Sequence, residues 1–172
     1  SCLIDYKIYM DAIEDLISDF KNLRSLEGEI RNSAISLVNC FRSGGKLLLC
    51  GNGGSCADCE HIAGELVKKF TIERPLSEEI IEKLDPELSR ELHGGLPALS
   101  LPSMIGFHTA FNNDDNTEFA FAQQVVAFGK PNDILWGITT SGNSSNVVYA
   151  AKAARSLGLG TIALTGSSGG AI

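Results

Sequence analysis

Long hydrophobic runs are absent. The longest, Lys46 to Cys50 and Ile134 to Ile138, are strand-sized, far below the roughly 18 residues of a membrane-crossing helix. No membrane association is expected. No signal peptide is read at the start, and a chain opening at Ser1 is expected to have lost an initiator Met or a tag. Basic residues are scarce: 14 Lys and Arg against 21 Asp and Glu leave a net charge of −7. That disfavours direct nucleic-acid binding, because phosphate backbones attract basic surfaces. It does not disfavour a single phosphate, which backbone amides hold without any lysine. Disulfide-framework spacing is also missing. The five cysteines are an odd number, and reduced thiols in a cytoplasmic compartment are the expectation. There is no internal repeat, no low-complexity segment and no sign of a second domain. Residues 1–172, at 44% hydrophobic and 20% charged, read as one globular domain.

Glycine, by contrast, is plentiful at 18, and its clusters border apolar runs. Residues 5 to 42 read as one long N-terminal helix with a possible break near Gly28. Leu16, Phe20, Leu23, Ile30, Ala34, Leu37 and Phe41 recur in steps of four and three, the stripe of a packing seam. An unbroken helix of this length would run roughly 55 Å, so an overhanging oligomer interface is expected. After it, strands are expected at 46–50, 96–101, 133–138 and 161–165. Helices are expected at 55–70, 77–84, 86–93, 103–112, 117–128 and 146–157, with Ser55 as an N-cap. Repeated βα units with apolar strands imply a mainly parallel sheet covered on both faces, a three-layer α-β-α sandwich.

Two loops follow strands and open helices, where open α/β sheets bind ligands. One is Gly51-Asn52-Gly53-Gly54-Ser55. The other runs from Thr139 through Thr140, Ser141, Gly142, Asn143 and Ser144 to Ser145. Hydroxyls and free N–H groups at helix N-termini suit a phosphate. Each loop alone is also an ordinary capped turn. Neither matches a P-loop nor Gly-x-Gly-x-x-Gly, which disfavours a nucleotide. His61 and Glu65, four apart on one helix, share a face. They can bind a metal, move protons, or form a plain solvated pair. Cys56 and Cys59 form a C-x-x-C read mainly as small-residue packing. His93 and His108 read as structural or surface residues.

At these loops the sequence resembles a known family. Leu48 to Ser55, with Ala57, Asp58, Glu60, His61 and Glu65, is similar to the first signature of the phosphoheptose isomerases of the sugar-isomerase (SIS) domain superfamily. Gly137 to Asn146 resembles their phosphate loop, and Gly158 to Gly170 continues the match. Ala110 to Asp114 and Phe121 to Gly129 resemble the intervening segment. The resemblance is weakest at 71–95, where this chain is longer. It implies a flavodoxin-like five-stranded sheet and a cytoplasmic homotetramer joined partly through the N-terminal helices. It implies interconversion of sedoheptulose 7-phosphate and D-glycero-D-manno-heptose 7-phosphate, for bacterial surface heptose. Asn52, Gly53, Gly54 and Ser55 would meet the substrate, with Asn113 and Asp114 on sugar hydroxyls. Thr139, Thr140, Ser141 and Ser144 would hold the phosphate. His61 and Glu65 would be catalytic, and ligands of one zinc per subunit where zinc is bound. Aldose–ketose isomerisation needs a base beside a carbonyl, and a carboxylate sheltered at a helix start suits that task.

Two departures stand out. Pro102-Ser103-Met104 replaces a Thr-Thr-Asp-like run, removing a carboxylate. The chain also ends at Ile172, before the fifth strand and the helix that carries a Gln and a His in the family. Omission of that part is expected rather than natural truncation, since a sheet without it exposes apolar surface. The rival expectations are a non-catalytic SIS adaptor, a sugar-phosphate sensor, and an isomerase of another sugar phosphate.

Overall fold

The computed structural model describes residues 6–172. Four strands, β1 (Leu47–Gly51), β2 (Ala98–Ser100), β3 (Ile134–Thr139) and β4 (Gly160–Thr165), form one parallel sheet in the order β2-β1-β3-β4. The chain thus supplies four of the five strands that the resemblance implies. Eight helices surround the sheet among the described residues: α1 (Tyr6–Asp19), α2 (Glu27–Arg42), α3 (Gly54–Val67), α4 (Glu78–Ile81), α5 (Pro86–Glu91), α6 (Ile105–Asp114), α7 (Ala120–Phe128) and α8 (Ser145–Ser156). β1 explains the three layers. Its side chains alternate faces, and both faces are buried. Leu48 and Cys50 pack with Val125 of α7 and Val147, Ala150 and Ala154 of α8. Leu47 and Leu49 pack with Cys40 of α2, Cys59 and Ala63 of α3, and Ile134.

The single N-terminal helix is the main correction. Phe20 leaves helical geometry (φ −120°, ψ 74°), Lys21–Leu26 form a 3-10 turn, and the chain doubles back. α1 then packs on α2, where Arg31 bonds Glu27 at 2.7 and 2.9 Å and lies 3.8 Å from Glu14. Folding back buries Ile13 and Ile17 within the chain, whereas a straight helix would leave them in water. Acidic Glu27 and Glu29 stand in the first turn of α2, where the helix dipole favours them. Phe20, a member of the expected seam, is 56% exposed. The overhang argued from a roughly 55 Å rod therefore does not hold.

Other boundaries shift less. Residues 77–84 and 86–93 shorten to α4 and α5, with Ser77 Oγ accepting the Ile80 N–H at 3.4 Å. The excursion that contains them is held by Arg74. Its guanidinium donates to the carbonyls of Leu66 (2.6 Å), Glu65 (3.2 Å) and Lys68 at the end of α3, and to Gly94 (2.9 Å). The α3 carbonyls among these are ones a helix end leaves without helical partners, and Leu66 also accepts the Leu96 N–H at 2.9 Å. Burial holds the Arg74 guanidinium below its ordinary pKa. At the amino end of the sheet, Asp133 accepts from Lys46 Nζ (2.6 Å) and from the Lys46 and Lys130 backbone N–H groups.

Candidate functional site

β1 and β3 are neighbours, while β2 lies on the other side of β1. The connections therefore diverge at β1, and the crevice at the carboxyl ends of β1 and β3 is the topological switch point. The loops after these two strands flank it. A cavity of about 520 Å³ opens there, walled by Asn52 and Gly53, by His108 and Asn112 of α6, by Glu118, and by Ser144 to Asn146.

Loop geometry follows from local sequence. Gly53 takes φ +55° as the N-cap of α3, a conformation most side chains avoid. Ser55 is therefore the second helical residue, not the N-cap. In the second loop Thr139 is buried and its Oγ1 lies 2.9 Å from Ser144 Oγ, with Ser141 Oγ at 3.5 Å. Ser141 Oγ accepts the Asn143 N–H at 3.1 Å. The first turns of α3 and α8 both face the cavity. The Ser55, Cys56 and Val147 N–H groups close onto the carbonyls of Asn52, Gly53 and Ser144, and the two turns carry the positive ends of two helix dipoles. No Lys or Arg lines the cavity among the described residues. An anion here would be held by amides and hydroxyls.

The residues expected to touch substrate or phosphate fall into three groups. Asn52, Gly53 and Ser144 line the cavity. Gly54, Ser55, Thr139, Thr140 and Ser141 build the loops around it without lining it. Asn113 and Asp114 lie at the end of α6, exposed and bonded to each other at 2.8 Å, while Asn112 faces the cavity. Sequence reading missed four wall residues. Asn112 was hidden in the polar run Asn112 to Asp115, whose helical phase is unreadable. Glu118 accepts from Ser145 Oγ at 2.7 Å. Asn146 bonds Asn52, with 2.9 Å in each direction. His108, expected at the surface or in a structural role, holds Nε2 3.1 Å from the Leu101 carbonyl, to which buried Gln124 also donates at 2.8 Å. A glutamine inside the apolar run Ala120 to Phe128 was the available signal for that contact.

His61 and Glu65 form a pair 3.5 Å apart, with Lys68 Nζ 3.4 Å from the same Glu65 oxygen. Glu65 belongs to the last turn of α3, not to a helix start as expected. His61 is 77% exposed, and Glu65 Oε2 is buried without a hydrogen-bond partner. For a zinc ion this is a partial fit. Two donors share one helix face and one carboxylate oxygen is unsatisfied, but zinc sites need three or four protein ligands. No group of three His, Cys, Asp or Glu gathers among the described residues. Cys56 lines the cavity and Cys59 lies in the core, both as free thiols. Burial, then the neighbouring Cys56, pushes Cys59 up to about 12, the opposite direction from the lowered thiol of a redox C-x-x-C.

Residues 8–166 match the sequence model of the SIS domain family. The chain is 46% identical over 136 residues to a phosphoheptose isomerase of Roseiflexus sp. (strain RS-1), spanning 79% of this chain and 59% of that protein. It is 39% identical over 171 residues to a probable phosphoheptose isomerase of Thermoplasma volcanium, spanning 99% of this chain and 77% of that one. The solved structure of a phosphoheptose isomerase from Francisella tularensis superposes with a TM-score of 0.73 at 33% identity, covering 96% of this chain and 76% of its own.

Proposed function

This chain belongs to the phosphoheptose isomerase family of SIS domain proteins, and from that premise we propose that it is an aldose–ketose isomerase. Its substrate pair is sedoheptulose 7-phosphate and D-glycero-D-manno-heptose 7-phosphate, in the supply of heptose for bacterial surface glycans. One observation carries the reading. Two loops rich in glycine and hydroxyls meet at the switch point, with two helix N-termini aimed into one cavity free of Lys and Arg.

The chemistry follows from that arrangement. The α8 turn with Ser144, Ser141, Thr140 and Thr139 grips the phosphate, fixing the sugar. Asn52, Gly53, Gly54 and Ser55 meet the sugar chain. Asn113 and Asp114 close the α6 side, with Asn112 nearest the cavity. Glu65 is the proton-moving carboxylate and His61 its partner. Glu65 stands eleven residues beyond Gly54 on α3, about 16 Å along the axis. It therefore serves a sugar bound by a neighbouring copy, and the working form is a cytoplasmic homotetramer. Zinc, where present, would take His61 and Glu65 among its ligands and polarise the carbonyl. Its remaining donors would come from another copy or from sequence outside this chain.

The test is NMR-detected turnover of sedoheptulose 7-phosphate by the full-length protein, with and without zinc. Appearance of aldose signals supports the proposal. Binding without conversion overturns it in favour of a sensor, and neither binding nor conversion favours an adaptor. A second reading, an isomerase of another sugar phosphate, is favoured by Pro102-Ser103-Met104, a segment that reaches the wall at Pro102 and holds no carboxylate.

A further inference from the structure

Asn52 and Asn146 lie 94 residues apart and face each other across the mouth of the cavity. Each carboxamide donates its Nδ2 to the other's Oδ1, at 2.9 Å both ways. A symmetric pair of this kind is ambiguous by itself, since both amides can flip together. Here the ambiguity is broken. The Val147 backbone N–H, shared with the Ser144 carbonyl at 3.0 Å, donates to Asn146 Oδ1 at 3.0 Å, and a flipped carboxamide would set its own NH2 against that N–H. Asn146 is therefore fixed by the backbone of α8, and Asn52 must present Nδ2 to Asn146 Oδ1 and Oδ1 to Asn146 Nδ2. Asn52 keeps one N–H and part of its oxygen's acceptor capacity. Asn52 lines the cavity and sits beside Gly53, whose φ is +55°. Without Asn146 nothing else among the described hydrogen bonds holds its carboxamide.

From this juxtaposition we propose that Asn146 is a positioning residue for sugar recognition. It locks the side-chain orientation of Asn52, so that the loop after β1 offers one donor and one acceptor to sugar hydroxyls in a geometry set by the helix after β3. The phosphate grip and the sugar grip are thereby one rigid unit. Asn146 acts through Asn52 rather than on the sugar. The proposal rests on the sugar-phosphate reading above.

The test is a double-mutant cycle in the full-length protein with Asn52→Ala, Asn146→Ala and the double variant. The readouts are kcat/KM for sedoheptulose 7-phosphate and competitive inhibition by inorganic phosphate. Asn146→Ala is expected to lower kcat/KM about tenfold, the scale of losing two neutral hydrogen bonds. Its inorganic-phosphate affinity should change by less than about twofold, because the hydroxyl loop is untouched. The double variant should equal Asn52→Ala alone. Asn146→Asp keeps the acceptor for Val147 and suits a helix N-terminus, so it should fold, yet it cannot donate to Asn52. It should fall between wild type and Asn146→Ala. Losses that multiply in the double variant, or no loss in Asn146→Ala, overturn the proposal. Side-chain amide NMR separates this failure from failure of the substrate reading. Asn52 Nδ2 protons should give two widely separated, slowly exchanging signals that collapse in Asn146→Ala. If they do so in a protein that does not convert the sugar, the substrate reading falls and the clamp stands. If the Asn52 signals ignore Asn146→Ala, the clamp falls.

Discussion

At Gly142 the backbone takes φ +66°, and a Cβ there would run into the Gly169 carbonyl of the segment crossing above it. The carbonyl of Gly142 itself accepts the N–H groups of Ala171 and Ile172 at 2.9 and 3.1 Å. Gly142→Ala is therefore expected to cost about 2 kcal/mol or more, from strain and displaced backbone, read as a lower midpoint in urea unfolding. Thr139 has a different task. Its hydroxyl supports Ser144 from below. Thr139→Val keeps the shape and removes that bond. Inhibition by inorganic phosphate should weaken about three- to tenfold, with little change in folding stability. At this scale the sequence disclosed residue types better than directions. Hydroxyls and asparagines at strand ends were legible as polar wall. Whether Asn112 or Asn113 faces inward depends on the phase of α6, which a run of four polar residues does not reveal. The pairing of Asn52 with Asn146 depends on strand order, which no local pattern carries.

Among the elements, β1 and β3 are tied at their amino ends by Lys46 and Asp133, opposite the cavity. Burial pushes the Asp133 carboxyl up, but the Lys46 side chain and the backbone N–H groups of Lys46 and Lys130 outweigh it and hold it below its ordinary value. A depressed folded pKa means the pair contributes fully above the ordinary aspartate range. The contribution fades as pH falls from about 5 toward 3, because the unfolded chain takes the proton first. Asp133→Asn should lower stability by about 2 kcal/mol at pH 7. It should also flatten the acid limb of a stability-versus-pH curve, measured by urea unfolding at each pH. The four strands were readable because runs such as Leu47 to Cys50 are apolar on both faces, the mark of a buried parallel strand. The hairpin of α1 and α2 was not. Apolar spacing of three and four continues through Phe20 and Leu23 with no proline to break it, and only packing of α1 against α2 ends the helix.

For the whole molecule, the net charge of −7 and a cavity wall without Lys or Arg fit a ligand gripped by amides rather than by cations. Helices long and apolar enough to cross a membrane are absent from the described residues. Apolar side chains nevertheless remain in water in the single chain. Phe70 just past α3 is 72% exposed, and Ile105 at the start of α6 is 73% exposed. The homotetramer proposed above would bury them between copies. Light scattering of the full-length protein should give a tetramer mass, and Ile105→Lys with Phe70→Glu should lower it. A monomer of unaltered activity would contradict the shared site. Since Glu65 and the cavity of one chain stand far apart on α3, dissociation should abolish turnover while leaving phosphate binding measurable.

The most direct measurement is conversion of sedoheptulose 7-phosphate in deuterium oxide, followed by NMR at the aldose C2 carbon. If Glu65 removes a proton from C1 of the ketose and a proton returns to C2, the aldose should carry deuterium there. Glu65→Gln should then bind the sugar phosphate and yield neither product nor label. Sugar bound by the wild type but left unconverted, or full turnover by Glu65→Gln, would contradict the account.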